Sequence, residues 1–209
     1  MTSHAATAGK IGPNAITRAA EALRAQAGEI ATIKLFRAAG LSHYLEAPPE
    51  QMVDECEVVA LHGAMRDLLG PEAARHASYA AGMRTADYLL ANRIPRPVQY
   101  LLRVLPPLLA SRVLLSAIRR HSWTFAGTGH FAATAGHPTL LSIAGCPICR
   151  GAHAVAPACD YYAATFERLF QVLVSPRAQV QEIACEALGA SACVFAVRWR
   201  DKRGADRAG

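Results

Sequence analysis

Several signatures of enzyme chemistry are missing from this chain of 209 residues. No glycine-rich dinucleotide fingerprint follows a strand and opens a helix, and no phosphate loop, Gly-x-Ser-x-Gly elbow or His-Glu-x-x-His helix occurs. The pair Gly127-x-Gly129 has no third glycine in register. A reductase that uses a nicotinamide or a flavin needs a recognisable cofactor cradle. The lack of one weighs against autonomous redox catalysis.

The chain also lacks the marks of nucleic-acid-binding and secreted proteins. Its net charge is +6, but no long lysine run, helix-turn-helix signature or aromatic RNA-binding motif accompanies that charge, so we expect no nucleic-acid partner. Residues 1–10 lack the apolar core of a signal peptide. We therefore expect a cytoplasmic protein whose thiols stay reduced.

An unbroken membrane span is missing as well. Residues 97–120 are the most apolar stretch, but Arg103, Pro106-Pro107 and Arg112 interrupt it, whereas a span needs about twenty consecutive apolar residues. The pattern predicts two short helices with a basic end. Core helices are the default interpretation, and a peripheral contact with a membrane surface or a lid over an apolar ligand are the alternatives.

What is present indicates one globular domain. Hydrophobic residues make up 52% of the chain and charged residues 18%, and the length suffices for a substantial core. Small, polar and charged residues fill both ends. We predict a domain over residues 11–200, with mobile tails at 1–10 and 201–209.

The order of the predicted elements is typical of an α+β fold, with helices first and an antiparallel sheet with one interposed helix last. Asn14 is the expected N-cap of the first helix, and residues 30–40 continue it as a second helix or a bent extension. Further helices are predicted over Glu50–Leu69, with Val53, Cys56, Val59, Ala60 and Leu68 inward, over Pro71–Asn92 and over 157–175. Strands are predicted over 122–131, 139–143 and the hairpin 178–199.

Five of the six cysteines lie between positions 146 and 193, and the densest pattern is Glu182-x-x-Cys185-x7-Cys193. A hairpin that turns at residues 188–191 places Cys185 opposite Cys193, about 5 Å apart. Glu182 joins them only if a bulge intervenes, because it is an odd number of residues from Cys185. With Cys159 from the first turn of the preceding helix, these residues make a Cys3Glu zinc shell. Buried idle thiols and a cross-strand disulfide are the competing interpretations.

Cys146 and Cys149 form a second, ambiguous pattern. Their Cys-Pro-Ile-Cys-Arg-Gly loop resembles the knuckles that hold zinc or iron, but it also fits a redox pair or idle thiols. It lacks the strand-then-helix setting of a thioredoxin-like site. All three interpretations stay open.

The aromatic segment 122–131 supplies the candidate ligand residues. His121 and His130 flank it and are candidate axial ligands or hydrogen-bond donors to a bound macrocycle. Trp123, Phe125 and Phe131 are more often core residues than pocket walls, yet they offer faces on which a planar ligand stacks.

Two longer motifs resemble a known family. The segments P-A-C-D-Y-Y-A-A-T-F-E-R-L-F and Q-E-I-A-C-E-A-L-G-A-S-A-C-V-F-A-V are similar to the C-terminal signature of the vinyl-4-reductase domain. The segments I-G-P-N-A-I-T-R, E-A-P-P-E-Q-M-V and C-P-I-C-R-G resemble its bacteriochlorophyll 4-vinyl (8-vinyl) reductase branch. The resemblance covers about residues 11–200.

The resemblance implies a fold, a metal and a quaternary state. The fold is the ligand-binding α+β fold shared with small TRAPP-complex subunits, typically dimeric, with an apolar cavity between helices and sheet. Family members hold a structural zinc with a cysteine that opens a helix and with Glu-x-x-Cys-x7-Cys. Those ligands fall here on Cys159, Glu182, Cys185 and Cys193.

The resemblance also implies a pathway, namely bacteriochlorophyll synthesis at reduction of the 8-vinyl group of a divinyl (proto)chlorophyllide. The membrane of the peripheral-contact alternative is then the photosynthetic membrane. The chain is either the reductase, supplied by an external donor such as NADPH, or a tetrapyrrole-binding protein that delivers the substrate to other pathway enzymes. The missing cofactor cradle and the saturated zinc shell favour the second role. A sensor domain for small aromatic ligands is a third alternative.

Overall fold

A computed structural model describes residues 9–199 of the chain. Its helices are α1 (Asn14–Ala38), α2 (His43–Glu46), α3 (Glu55–Leu69), α4 (Pro71–Asn92), α5 (Arg96–Val104), α6 (Pro107–Arg120), α7 (Trp123–Ala126) and α8 (Asp160–Leu173). Its strands are β1 (Lys10–Ile11), β2 (Val53–Asp54), β3 (His130–Thr134), β4 (Thr139–Ala144), β5 (Gln179–Ala184) and β6 (Cys193–Arg198). Helices precede the main sheet, so the predicted α+β class is confirmed.

The main sheet has the strand order β3-β4-β6-β5, and every neighbouring pair is antiparallel. Helix α8 lies between the hairpin β3–β4 and the hairpin β5–β6 in sequence, and it packs against α4 and β5. Helix α4 in turn packs against α1 and α3. The core therefore runs from the helical layer through α8 to the inner face of the sheet.

The first helix bends where the sequence predicts an extension. Gly28 has φ 83° and ψ 169°, a conformation that only glycine adopts readily, and helical structure continues on both sides of it. The predicted N-cap is one residue late. Pro13 occupies that position, and the side chain of Asn14 makes no capping hydrogen bond.

The predicted start and buried face of the third helix are wrong. Helix α3 begins at Glu55 because Asp54 caps it, its carboxylate accepting a hydrogen bond of 2.8 Å from the Cys56 N–H. Of the predicted inward residues Val53, Cys56, Val59, Ala60 and Leu68, only Val53 is fully buried. The buried face carries Glu55, Val58, Leu61, His62 and Met65. The side chain of Glu55, which points into the protein, sets this rotation.

The segment 122–131 is not one continuous strand, which corrects the second prediction. It forms the short helix α7, turns at Gly127 and enters β3 only at His130. The hydroxyl groups of Ser122 and Thr124 explain the difference, since they donate to the carbonyl oxygens of Arg119 and His121 at 3.0 and 2.7 Å. Such local bonds favour a helical turn over a strand.

The remaining boundaries agree more closely with the sequence. Helix α4 spans Pro71–Asn92 as predicted, and residues 97–120 divide into α5 and α6 at Pro106-Pro107. Lys10, predicted within a mobile tail, pairs with Asp54 in the small sheet β1–β2. Residues 1–8 and the tail 201–209 lie outside the described residues. Within residues 9–199, no helix combines the length and the apolar character that crossing a bilayer requires.

The close approach of α4 and α8 generates a stability prediction. A methyl group at Gly82 would overlap the carbonyl oxygen of Tyr161 and lie 2.9 Å from the Cβ of Ala164. We expect Gly82→Ala to lower the free energy of unfolding by about 2 kcal/mol, as overpacking of a core does. Urea denaturation followed by circular dichroism measures this change.

Gly63→Ala in α3 is the matched control, because the nearest group to the added methyl is the tip of Arg66 at 4.0 Å. Alanine there should leave stability unchanged or raise it by about 0.5–1 kcal/mol through helix propensity. Equal effects of the two substitutions would contradict the proposed contact between α4 and α8.

Candidate metal centre

Five cysteines from four parts of the chain meet in one buried cluster, which we call the thiol cluster. Its members are Cys146 and Cys149 after β4, Cys159 immediately before α8, Cys185 after β5 and Cys193 at the start of β6. Each is at most 1% exposed, and all are free thiols. The sixth cysteine, Cys56, is exposed on α3.

The sulfur atoms stand at distances that suit a tetrahedral metal site. Sγ of Cys159 lies 3.5 Å from Sγ of Cys146 and 3.4 Å from Sγ of Cys193. Sγ of Cys193 also lies 3.4 Å from Sγ of Cys149 and 4.0 Å from Sγ of Cys185. The sulfurs of a tetrahedral zinc site are about 3.8 Å apart, given Zn–S bonds of about 2.3 Å. The cluster therefore has the spacing of a metal shell.

Two groups of four ligands satisfy this spacing. One is the predicted set, Cys159, Glu182, Cys185 and Cys193, and the other is an all-thiol set, Cys146, Cys149, Cys159 and Cys193. Within each group the donor atoms all lie within 4.8 Å of one another. The structure thus brings the two cysteine patterns of the sequence together in one place.

A bulge in β5 brings Glu182 to the cluster, as its odd spacing from Cys185 requires. Glu182 pairs with Phe195 whereas Ala184 pairs with Val194, so one extra residue intervenes on β5. Oε2 of Glu182 accepts a hydrogen bond of 2.9 Å from the Cys159 N–H. Oε1 is buried and has no hydrogen-bond partner among the residues that the structure describes. A carboxylate oxygen left in this state fits a ligand atom that faces a cation.

The Cys146–Cys149 loop is held by groups that the sequence patterns did not single out. The Glu186 carboxylate accepts hydrogen bonds from the N–H groups of Gly145 and Cys146 at 2.6 and 2.8 Å. Arg66 donates to the carbonyl oxygen of Ile148 at 2.8 Å. These contacts, which join residues 40 or more positions apart in the chain, fix the loop against the hairpin and α3.

The electrostatics of the cluster favour a cation. Burial raises the pKa of Glu182 to about 8, although the Cys159 N–H opposes this effect. Hydrogen bonds from neighbouring thiols, that of Cys146 foremost, lower the pKa of Cys149, and contacts with the same neighbours raise the pKa values of Cys159 and Cys193. Without a cation, the buried thiols therefore share little negative charge. A divalent ion stabilises several thiolates at once.

An ion pair beside the cluster is a second element that sequence reasoning missed. Glu55, buried on α3, accepts hydrogen bonds from Arg150 at 2.7 Å and from the N–H and hydroxyl of Thr128 at 2.8 and 2.6 Å. Arg150 also donates to the carbonyl oxygen of Gly145 at 2.7 Å. Any side chain at Gly127, where φ is 59°, would overlap Glu55. The pair joins α3, the turn before β3 and the cysteine loop.

The predicted aromatic residues do not share one environment. Phe125 and Phe131 pack edge to face, with ring centroids 5.4 Å apart, and both contact Phe166. Trp123 is 60% exposed on α7, and His130 is exposed at the start of β3. His121 is exposed, with Nδ1 2.9 Å from the carbonyl oxygen of Ala117. Their role in ligand binding stays a prediction.

Helix α5 presents its apolar side to solvent. Tyr100, Leu101 and Val104 share one face of the helix and are 71%, 52% and 60% exposed. The polar side chains face the protein instead. Gln99 donates to the carbonyl oxygens of Leu90 and Ile94, and Arg103 donates to that of Val172. An amphipathic helix in this orientation marks a binding surface.

The exposed apolar surface continues onto α6. Leu108, Leu109 and Val113 are all exposed there, alongside Arg112. This outward apolar face of α5 and α6, which we call the α5–α6 face, agrees with the sequence-based alternatives to core helices. Contact with a membrane surface stays one of those predictions.

Comparison with known proteins finds relatives over nearly the whole chain. Residues 139–199, which contain the thiol cluster, match the vinyl-4-reductase domain. The bacteriochlorophyll synthase 23 kDa chain of Cereibacter sphaeroides is 44% identical over 195 residues, 93% of each chain. The protein of the same name from Rhodobacter capsulatus is 37% identical over 194 residues, 93% of this chain and 89% of that one.

Solved structures of H-NOX proteins share the fold. An unliganded Fe(II) H-NOX protein from K. algicida superposes with a TM-score of 0.57 at 9% identity, covering 92% of this chain and 98% of that one. An H-NOX protein from S. oneidensis in the Fe(II)NO state gives a TM-score of 0.53 at 12% identity, covering 91% and 100%. At this identity the likeness concerns the fold alone.

The Glu55–Arg150 pair generates a pH prediction. Burial by itself would raise the pKa of Glu55, but the bonds from Arg150 and Thr128 outweigh burial and lower the pKa below its ordinary value of 4.5. The stabilisation is therefore complete above pH 4.5 and is lost as the pH falls through the lower, folded-state pKa. We expect Glu55→Gln to cost about 2 kcal/mol at about pH 7.

The measurement is urea unfolding of wild type and Glu55→Gln between about pH 7 and about pH 3. The difference between the two proteins isolates Glu55, because acid acts on the thiol cluster in both. That difference should shrink below pH 4.5. A difference that stays constant down to the most acidic sample would show that the ion pair does not stabilise the fold.

Proposed function

The chain belongs to the vinyl-4-reductase-domain family of bacteriochlorophyll synthase 23 kDa chains, and from this membership we propose that it serves bacteriochlorophyll synthesis. Its role is to bind a chlorophyllide-type tetrapyrrole and to deliver it for reduction of the 8-vinyl group. The reduction itself takes place on a separate pathway enzyme.

The observation that carries this proposal is the outward apolar face of α5. A chlorophyllide is a broad apolar disc with a carboxylate at its edge. Tyr100, Leu101 and Val104 offer an apolar surface of matching character, and Tyr100 adds an aromatic ring for stacking. Arg96 and Arg112 are exposed on the same two helices, where either supplies a cation for the propionate. Covering such a surface is favourable because it removes apolar area from water.

The thiol cluster has a structural role in this proposal. Zinc held by Cys159, Glu182, Cys185 and Cys193 would join the hairpin β5–β6 to the start of α8, and the thiolates would compensate the charge of the ion. Three cysteines of this set are buried and all four ligand positions belong to the protein, so substrate has no access to the metal. The cluster thus stabilises the fold that displays α5.

The first test of the function uses purified protein and divinyl chlorophyllide, with and without NADPH. We expect tight binding, seen as a shift of the pigment's absorbance bands, and no product by chromatography in either condition. The physical reason is that the apolar face binds the macrocycle while no hydride donor is positioned against it. Serum albumin serves as the control for non-specific pigment binding.

Two other results would overturn the carrier role. Formation of monovinyl product by this protein alone would identify it as the reductase. Tight binding of phenol without binding of pigment would favour a sensor of small aromatic ligands. Light scattering on the same sample tests the homodimer that the family resemblance implies.

A second test locates the pigment site. Val104→Asp places a charge in the apolar face of α5, and we expect pigment affinity to fall by about tenfold or more, because a covered valine contributes about 1.5 kcal/mol. Ile30→Asp is the matched control, since Ile30 is likewise exposed but lies on α1. It should bind pigment as wild type does.

Trp123→Ala distinguishes the alternative site, the aromatic residues around α7. Absorbance titration of all three variants gives their dissociation constants. Loss of affinity in Trp123→Ala, with wild-type affinity in Val104→Asp, would place the pigment at the aromatic segment and contradict the site on α5.

A further inference from the structure

The two ligand groups of the thiol cluster overlap in a specific way. They share Cys159 and Cys193 and differ in the other two members. Cys146 and Cys149 belong to one group only, and Glu182 and Cys185 to the other only. The shared sulfur atoms are 3.4 Å apart and lie at the centre of the cluster.

We infer that the cluster binds two metal ions bridged by the thiolates of Cys159 and Cys193. The first metal takes Cys146 and Cys149 as terminal ligands, and the second takes Cys185 and Glu182. Each ion then has four ligands, two terminal and two shared, which is the tetrahedral coordination that zinc prefers. The inference rests on the proposed zinc site and adds a second ion to it.

The use of donors favours two ions over one. A single ion in the set with Glu182 leaves the Cys146 and Cys149 thiols buried, 3.5 and 3.4 Å from metal-bound sulfurs, without a ligand role. A single ion in the all-thiol set leaves Oε1 of Glu182 buried and unpartnered within the described part of the chain. Two ions occupy all six donors. Because buried polar groups are costly when unpaired, the binuclear arrangement satisfies the cluster more completely.

The charge of the centre is no larger than that of a common single-zinc site. Binding releases protons from the five thiols and the carboxyl group, so six negative ligands surround two divalent ions and leave a net charge of about −2, as four thiolates around one zinc do. Local groups offset this remainder. The N–H of Glu186 points at Sγ of Cys193 at 3.4 Å, and α8 begins immediately after Cys159. The negative charge of Cys146 in turn raises the pKa of Arg150.

The donor set indicates which metals bind. Five thiolates and one carboxylate suit a borderline-soft divalent ion such as zinc and exclude magnesium and calcium, which prefer oxygen ligands. Cobalt(II) is a suitable probe because it adopts the same tetrahedral sites. Its thiolate charge-transfer bands report sulfur ligation, and its paramagnetism reports bridging.

The experiment measures zinc per chain in protein purified under reducing, oxygen-free conditions, followed by cobalt(II) titration of the metal-free protein. We expect about two zinc ions per chain. The cobalt charge-transfer absorbance should rise over two equivalents. The electron paramagnetic resonance signal should grow with the first equivalent and weaken with the second, because bridging thiolates couple the two spins antiferromagnetically.

Three variants assign the two sites. Cys146→Ser and Cys185→Ser should each halve the zinc content and abolish the spin coupling. Cys56→Ser is the control, since Cys56 is exposed and outside the cluster, and it should keep the wild-type content. Circular dichroism shows whether each variant folds. The wild-type stoichiometry and spin coupling do not depend on the variants.

The outcomes separate this inference from the proposed zinc site. One zinc per chain that is lost in Cys185→Ser and kept in Cys146→Ser would overturn the second ion and leave the proposed site intact. One zinc that is lost in Cys146→Ser and kept in Cys185→Ser would overturn both. Protein without bound metal, with Cys146 and Cys149 reacting as a redox pair, would also overturn both.

Discussion

The cost of burying charge governs this structure. Five thiols and one carboxylate occupy a site from which water is excluded, and such groups are stable there only as neutral species or around a cation. The cluster draws its members from the β4–α8 connection, the start of α8 and both ends of the β5–β6 turn. Metal binding would therefore stabilise the whole C-terminal part of the domain. The Glu55–Arg150 pair connects that part to α3 through the same loop that carries Cys146 and Cys149.

The cluster and the α5–α6 face have separate roles in the fold. The cluster is enclosed and rigid, which suits a structural centre. The α5–α6 face is open and attached to the body mainly through Gln99, Leu102 and Arg103. A helix with so few buried apolar contacts is able to adjust to a ligand, whereas the metal-linked part is not. H-NOX proteins share the overall fold, but the function proposed here depends on surfaces and thiols that are features of this sequence.

Part of the site could be predicted from the sequence because local rules determine it. The spacing of Cys185 and Cys193 requires a hairpin turn between them, and the odd spacing of Glu182 requires the bulge that the structure contains. The other part could not be predicted in this way. Cys146 and Cys149 looked like a separate loop, because nothing local indicates that the β4–β6 pairing brings them to the hairpin. Glu55 shows no pattern at all, since its partners Thr128 and Arg150 are 73 and 95 residues away.

By itself the sequence determined the α+β order, the ends of α4 at Pro71 and Asn92, the bend within α1 and the set of candidate ligands on the β5–β6 hairpin. These features depend on side-chain spacing and on the backbone preferences of proline and glycine, which act over a few residues. Tertiary structure alone decided which face of α3 is buried, that α7 is helical, that α5 turns its apolar side outward and that two cysteine motifs form one cluster. Those outcomes depend on contacts between distant segments, and periodicity in the chain carries no information about such contacts.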